Sequence, residues 1–347
     1  NPLLHVNVGR EVELGLLGIA TSNNQEGKTS VFLYYSEANS SGVVVGNRLY
    51  KYELVDNRLV NPLLLLNLPA TSPIPGHENN HNGGKLVIGP DNNVYVVVGD
   101  LNYIKNQSAY TIAQNAVGGR FPDGRGGILR VTQNGEVVGG IGILGDQDPL
   151  NKYYAYGIRN SFGIDFDPLT GNLWDTENGP AYADEINLVK PGFNSGYTPV
   201  QGIWAEGVNP RSNVSTWELF SNSTGGLIDF DGRGKYSFPE FTWIDPVGVT
   251  AIKFFPSEKL GANYENGMFV SDVHEGRIYY FQLNADRTEL ILSGPLQDKI
   301  ADKTSELDNI ILAEGFGGVT DLEVGPDGYL YVVSIGQGKI FRILPKF

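Results

Sequence analysis

An all-β fold of repeated antiparallel strand pairs, arranged as a six-bladed β-propeller, is what this chain of 347 residues predicts. Three observations carry it. Gly and Pro are frequent, at 45 and 19 residues, and long apolar stripes of helical period are missing, which is the texture of many strands joined by turns. One pattern recurs five times: a Gly-led apolar strand, a turn of the Pro-Asp-Gly kind, then a second apolar strand. The repeats begin near residues 15, 83, 162, 248 and 318, a spacing that holds four strands and their loops. Radial repetition fits that spacing; the far shorter rungs of a β-helix do not.

Taken in order, the inner pairs are GLLGIATSNNQEGKTSVFLYYSEA, GGKLVIGPDNNVYVVVGD, FGIDFDPLTGNLWDTENG, GVTAIKFFPSEKLGANYENGMFVSDV and GVTDLEVGPDGYLYVVSIG. Alternation in KLVIG, IDFD and DLEVG marks half-buried strands, and the PDN and PDG turns suit hairpins. Outer-strand candidates follow each pair, from NRLYKYELVDNRLV to the terminal GKIFRIL. The first pair is preceded by NPLLHVNVG, which reads as a lone outer strand. The expectation is therefore a single domain over 1–347 of four-stranded antiparallel blades, the first incomplete. A closed five-bladed ring, with the N-terminal strand completing the last blade, is the competing arrangement. An incomplete blade leaves unpaired strand edges. Residues 200–235 read as a long Asn-, Ser- and Gly-rich loop over one mouth of the channel, and 298–313 as the best helical candidate.

Charge and composition narrow the partners. A net charge of −14 repels phosphate backbones, so nucleic acid is not an expected partner. No apolar run approaches the ~18 residues of a membrane span. Cysteine is absent, which removes disulfides and thiolate metal sites. The chain starts at Asn1 without a signal region or initiator Met and reads as a processed or partial product. Sequons at Asn39, Asn106, Asn213 and Asn222 also arise by chance in Asn-rich chains. With low Lys and an acidic surface they point to an exported protein, extracellular or at the cell surface.

The chemistry-bearing residues gather at strand ends. Of four histidines, His81 stands before the Gly-Gly that opens an inner strand, and Asp100 follows that strand pair. A His with a carboxylate in reach is the minimum for an oriented general base; the plainer reading is a His that caps a loop. Arg159 and Asn160 precede the third inner strand at the equivalent position. Arg159 could clamp an anion or make an interblade salt bridge. The bend Asn178-Gly179-Pro180 can present carbonyl oxygens to Ca²⁺, although such bends are common. An acidic pair, Asp184 and Glu185, follows it. Asp229 to Glu240 has the offsets of a calcium loop, but Arg233 takes a ligand position and Pro239 blocks the following helix.

Across the whole chain, HNGGKLVIGPDNNVYVVVGD, YGIRNSFGIDFDP, TENGPAYADEINLVKPGFNSGY and TDLEVGPDGYLYVV resemble the soluble quinoprotein glucose and aldose sugar dehydrogenases, also called glucose/sorbosone dehydrogenases, in their archaeal-like branch. The resemblance implies a six-bladed propeller that binds pyrroloquinoline quinone (PQQ) and calcium and oxidises the C1 hydroxyl of an aldose to the lactone. It implies His81 as general base, Asp100 as its orienting partner, and Arg159 beside the quinone carbonyls with Asn160 adjacent. Glu13 sits where the family often carries Gln near the cofactor. The carbonyls of Gly179 and Pro180, with Glu185 near them, fall at the calcium. Where the family has a cofactor-binding Lys this chain has His274, and where it has two Arg this chain has Gly318 and Thr320.

Two functions follow as expectations. One is an exported PQQ- and calcium-dependent sugar dehydrogenase, with a small sugar and an electron acceptor as partners. The other is a non-catalytic surface propeller with a degenerate quinone site, whose partners are glycan, protein or a second copy through self-association.

Overall fold

A computed structural model describes residues 2–23, 26–72, 79–101, 110–203 and 224–345. It divides into two compact units. The first comprises Asn1–Asn160, Pro191–Pro199 and Trp217–Tyr236; the second Ser161–Lys190, Val200–Thr216 and Ser237–Phe347. All five inner pairs expected from the repeats are formed, each in its own sheet.

The first unit holds two sheets. Leu16–Asn23, Thr29–Ala38, Val44–Val55 and Arg58–Leu68 make an antiparallel meander. Leu86–Ile88, Val94–Val98, Gly127–Val131 and Tyr153–Tyr156 make the second, extended by parallel pairing with Phe193–Asn194 and Lys235–Tyr236. Phe32, Tyr34 and Leu49 of the first sheet pack on Leu86, Val94, Val96 and Leu129 of the second. The run Val94–Val98 is buried at every residue, as expected of a strand covered on both faces. Asn7 and Gly9 hydrogen-bond along Ala38 and Ser36, and Leu3 along Leu59, so the N-terminal segment lies on the first sheet.

The second unit holds three sheets. Ser161–Phe166, Leu173–Glu177, Asp184–Val189 and Phe241–Trp243 form the first, with Ile300–Ala301 added in parallel. Val249–Phe254, Met268–Asp272, Ile278–Phe281 and Ile311–Ala313 form the next. Val319–Val324, Leu330–Ser334 and Lys339–Arg342 form the third. Strand alternation joins them: Val270 packs among Trp174, Trp243 and Tyr279, while its neighbour Phe269 points the other way, among Val319, Leu322 and Val332. Burying each such side chain stabilises the fold by roughly 1.5–3 kcal/mol.

Two hairpins show why the repeat needs its turn residues. After Pro90-Asp91, Asn92 takes a left-handed φ of 61°, and after Pro326-Asp327, Gly328 takes 79°. This is a tight turn closed by a left-handed residue. Each Asp then accepts the hydroxyl of the Tyr four residues on: Tyr95 to Asp91 and Tyr331 to Asp327, both at 2.9 Å. Arg130 and Arg342 from the following strands reach the same two carboxylates.

The helical expectation at 298–313 is corrected. The segment forms a 3₁₀ turn over Thr304–Asn309, preceded by another over Gly294–Asp298. Lys299 ends that earlier turn in the left-handed region, and the apolar residues on either side join sheets instead. Within the 200–235 loop, residues 204–223 lie outside the described residues, as do His77 and the sequons at Asn106, Asn213 and Asn222. Asn39 is exposed, its Oδ1 accepting the N–H groups of Ser41 and Val43. The calcium-like stretch at Asp229 leads into the strand Lys235–Tyr236, not a helix. Among the described residues, no helix is long and apolar enough to cross a membrane.

Candidate active site

The first unit brings together Glu13, His81, Asp100, Arg159 and Asn160. His81 Nδ1 lies 2.6 Å from Asp100 Oδ1, with His81 5% exposed and Asp100 fully buried. Because Nδ1 faces the carboxylate, Nε2 is the ring nitrogen turned away from Asp100. The His81 backbone is left-handed, at φ +59°, and Leu101, next to Asp100, is at +53°. Side-chain-bearing residues adopt that conformation at a cost of about 1–3 kcal/mol each, so the surrounding structure must hold them there.

Several contacts do so. The Glu13 carboxylate accepts the N–H of His81 at 2.6 Å and of Asn82 at 3.3 Å. Asn82 is tied into a buried chain: its Oδ1 accepts from Asn47 Nδ2 at 2.8 Å, whose Oδ1 accepts from Ser36 at 2.7 Å. Gly99 presses against the His81 carbonyl so closely that a Cβ would sit 2.3 Å from that oxygen. On the other side, Asp100 N–H donates to the Arg159 carbonyl at 2.8 Å, which fixes the dyad to the turn before the third inner strand. Arg159 is 4% exposed, and the buried Oδ1 of Asn160 has no hydrogen-bond partner among the described residues. That orphaned acceptor, in the same unit as the dyad, fits a ligand that carries a donor.

The second unit holds the Gly179-Pro180 bend. Buried Asp184 organises it: Oδ1 accepts Gly179 N–H at 2.9 Å, and Oδ2 accepts Gly248 N–H at 2.7 Å and Val249 N–H at 3.3 Å. A side chain at Gly179 would meet the Tyr182 and Ala183 carbonyl oxygens, so only glycine fits there. The donors this bend offers are backbone carbonyl oxygens, a hard set suited to Ca²⁺.

Two expected site residues have partners within the protein. Glu185 is not turned to the bend: its Oε1 accepts from Gln201 Nε2 at 2.8 Å and from Gly202 N–H at 2.5 Å, and its Oε2 from Asn187 at 3.2 Å. Successive residues of a strand point to opposite faces, so Asp184 and Glu185 cannot both serve the bend. Glu13, expected at a cofactor, is bonded to the His81 and Asn82 backbone. His274 belongs to the second unit and is exposed, Nδ1 lying 3.3 Å from the Pro246 carbonyl. It lines a cavity of about 250 Å³ with Asp245, Arg277 and Lys303. Among the described residues, no three His, Asp or Glu side chains cluster as a metal site.

The sequence did not reveal Ser36, Asn47, Asn82 or Asp184 as supports of the site. Asp184 left a signal, an acid four residues after the Gly-Pro bend; the Ser36–Asn47–Asn82 chain left none.

The glucose/sorbosone dehydrogenase family model matches residues 3–342. The aldose sugar dehydrogenase of Escherichia coli K12 is 24% identical over 272 residues, covering 77% of this chain and 61% of that protein. The chain thus spans about three fifths of the length of that relative. A solved glucose dehydrogenase superposes with a TM-score of 0.74 at 20% identity, covering all of this chain and 87% of that one. The PQQ-bound aldose sugar dehydrogenase of Streptomyces coelicolor gives 0.64 at 22% identity, covering 99% of this chain and 82% of that one. These likenesses bear out the all-β propeller fold read from the repeats.

Proposed function

The chain belongs to the glucose/sorbosone dehydrogenase family, and from that premise we propose that it oxidises the C1 hydroxyl of an aldose to the lactone, with PQQ and Ca²⁺. The observation that carries the proposal is the buried His81–Asp100 pair at 2.6 Å. The reading of residues 1–347 as one propeller domain and of the protein as exported belongs to the same proposal.

In this reading His81 Nε2 takes the proton of the C1 hydroxyl as the C1 hydride leaves. Asp100 keeps the proton on Nδ1, so the facing nitrogen stays a base, and it stabilises the imidazolium that forms. PQQ, when bound, would accept the hydride. Arg159 and Asn160 would hold that cofactor, and the carbonyl oxygens of Gly179 and Pro180 would ligate Ca²⁺. A guanidinium suits an anionic quinone, and the orphaned Asn160 acceptor suits an N–H or O–H donor on the ligand.

A second reading rests on the uncharged residues Gly318 and Thr320 and the exposed His274 at positions where the family carries cofactor-binding cations. Each charge-assisted bond lost costs roughly 1.5–3 kcal/mol. On that reading the chain is a surface propeller that binds glycan or protein without catalysis. Titrating the apo chain with PQQ and Ca²⁺, then adding aldoses, separates the two.

A further inference from the structure

We propose that Glu13 is a positioning residue for His81, its carboxylate filling an anion nest made by the His81 and Asn82 backbone. The inference rests on the reading of His81 as the base. Successive N–H groups converge on one acceptor when the residue between them is left-handed, and such concavities bind anions. His81 supplies that geometry at φ +59°, and both N–H groups reach the same atom, Glu13 Oε2, at 2.6 and 3.3 Å.

Glu13 is well placed to act as a fixed anchor. The chain turns ahead of it, with Leu14 N–H donating to the Glu11 carbonyl at 2.9 Å, and Leu14 itself is buried at 7% exposure. The His81 backbone is thereby held at its N–H by Glu13, at its carbonyl by contact with Gly99, and at the next residue by the Asn82–Asn47 bond. Without the carboxylate the two N–H groups lose this acceptor, and the left-handed conformation loses the bonds that offset its strain. The imidazole then leaves the orientation in which Nδ1 meets Asp100.

The test compares Glu13→Ala and Glu13→Gln with the parent chain. The first readout is the imidazole proton and nitrogen resonances of the apo chain; His81 is assigned by loss of its signal in His81→Asn. The second is kcat and KM with PQQ, Ca²⁺ and an aldose. For Glu13→Ala the Nδ1–H resonance of the Asp100-bonded ring weakens or shifts, and kcat falls on the order of 10²-fold while KM and PQQ affinity hold. Glu13→Gln, which keeps an acceptor oxygen, recovers part of both.

An unaltered His81 resonance in Glu13→Ala overturns the proposal. So does a loss confined to PQQ or sugar affinity, which would make Glu13 a direct ligand contact. If the parent chain oxidises no sugar, the dehydrogenase reading fails, and the resonance arm still decides whether Glu13 positions His81.

Discussion

His81 Nδ1 and Asp100 Oδ1 meet at 2.6 Å although their backbones come from opposite ends of one strand pair. The meeting depends on how the pair Leu86–Ile88 and Val94–Val98 returns the chain. His81 lies just before the first strand and Asp100 just after the second, so a tight hairpin delivers both to one end of the sheet.

Removing the base has a defined cost. His81→Gln lowers kcat by about 10²–10⁴-fold and leaves the melting temperature nearly unchanged. Asp100→Asn acts in the same direction by disturbing the imidazole tautomer. Because the two act as a unit, the double variant loses little more than His81→Gln alone. Steady-state kinetics of the three loaded variants checks this, and additive losses would contradict it.

Gly99→Ala places a methyl group against the His81 carbonyl, where a Cβ would lie 2.3 Å from the oxygen. Backbone cannot yield as a flexible side chain can, so His81 is displaced. The expected outcome is a fall in kcat of ~10²-fold, with loss of the Asp100-bonded imidazole resonance.

Asp184 acts on the other unit. Asp184→Asn turns one acceptor oxygen into an amide, which then faces the N–H of Gly179 or of Gly248. Leaving such a buried donor unmatched costs about 1–3 kcal/mol. The melting temperature falls, and Ca²⁺ affinity measured by calorimetry falls with it. Glu185→Gln, whose carboxylate is turned to Gln201 and Gly202, leaves Ca²⁺ affinity unchanged.

Stability should depend on pH through Asp175. Burial pushes its carboxyl up from 3.8 to about 7; Asn187 and Ser161 pull the other way but are outweighed. The folded chain therefore holds a proton that the unfolded chain releases. Its contribution is full below pH 3.8 and is lost as pH rises through about 7. Asp175→Asn, neutral at every pH, melts a few degrees above the parent at pH 8 and close to it at pH 4. Thermal melts at the two pH values check the sign.

What was legible in the sequence follows its physics. The five strand pairs announced themselves because Pro-Asp turns and period-2 alternation are local signals, seen at Asp91 and Asp327. His81 and Asp100 stood out by their place at the ends of one such pair. Which of Asp184 and Glu185 serves the Gly179 bend depends on strand phase, and a residue pair alone does not give it. The Ser36–Asn47–Asn82 chain joins residues far apart in sequence and carries no periodicity. The helix expected at 298–313 was misread because the apolar spacing of Ile300, Leu307 and Ile311 serves two sheet edges.

The most direct measurement is a titration of the chain, shown to be folded, with PQQ plus Ca²⁺, following the quinone absorbance before and after adding aldoses. The account predicts saturable binding and sugar-dependent bleaching that His81→Gln abolishes without weakening PQQ binding. No binding at micromolar PQQ, or bleaching that persists in His81→Gln, would contradict it.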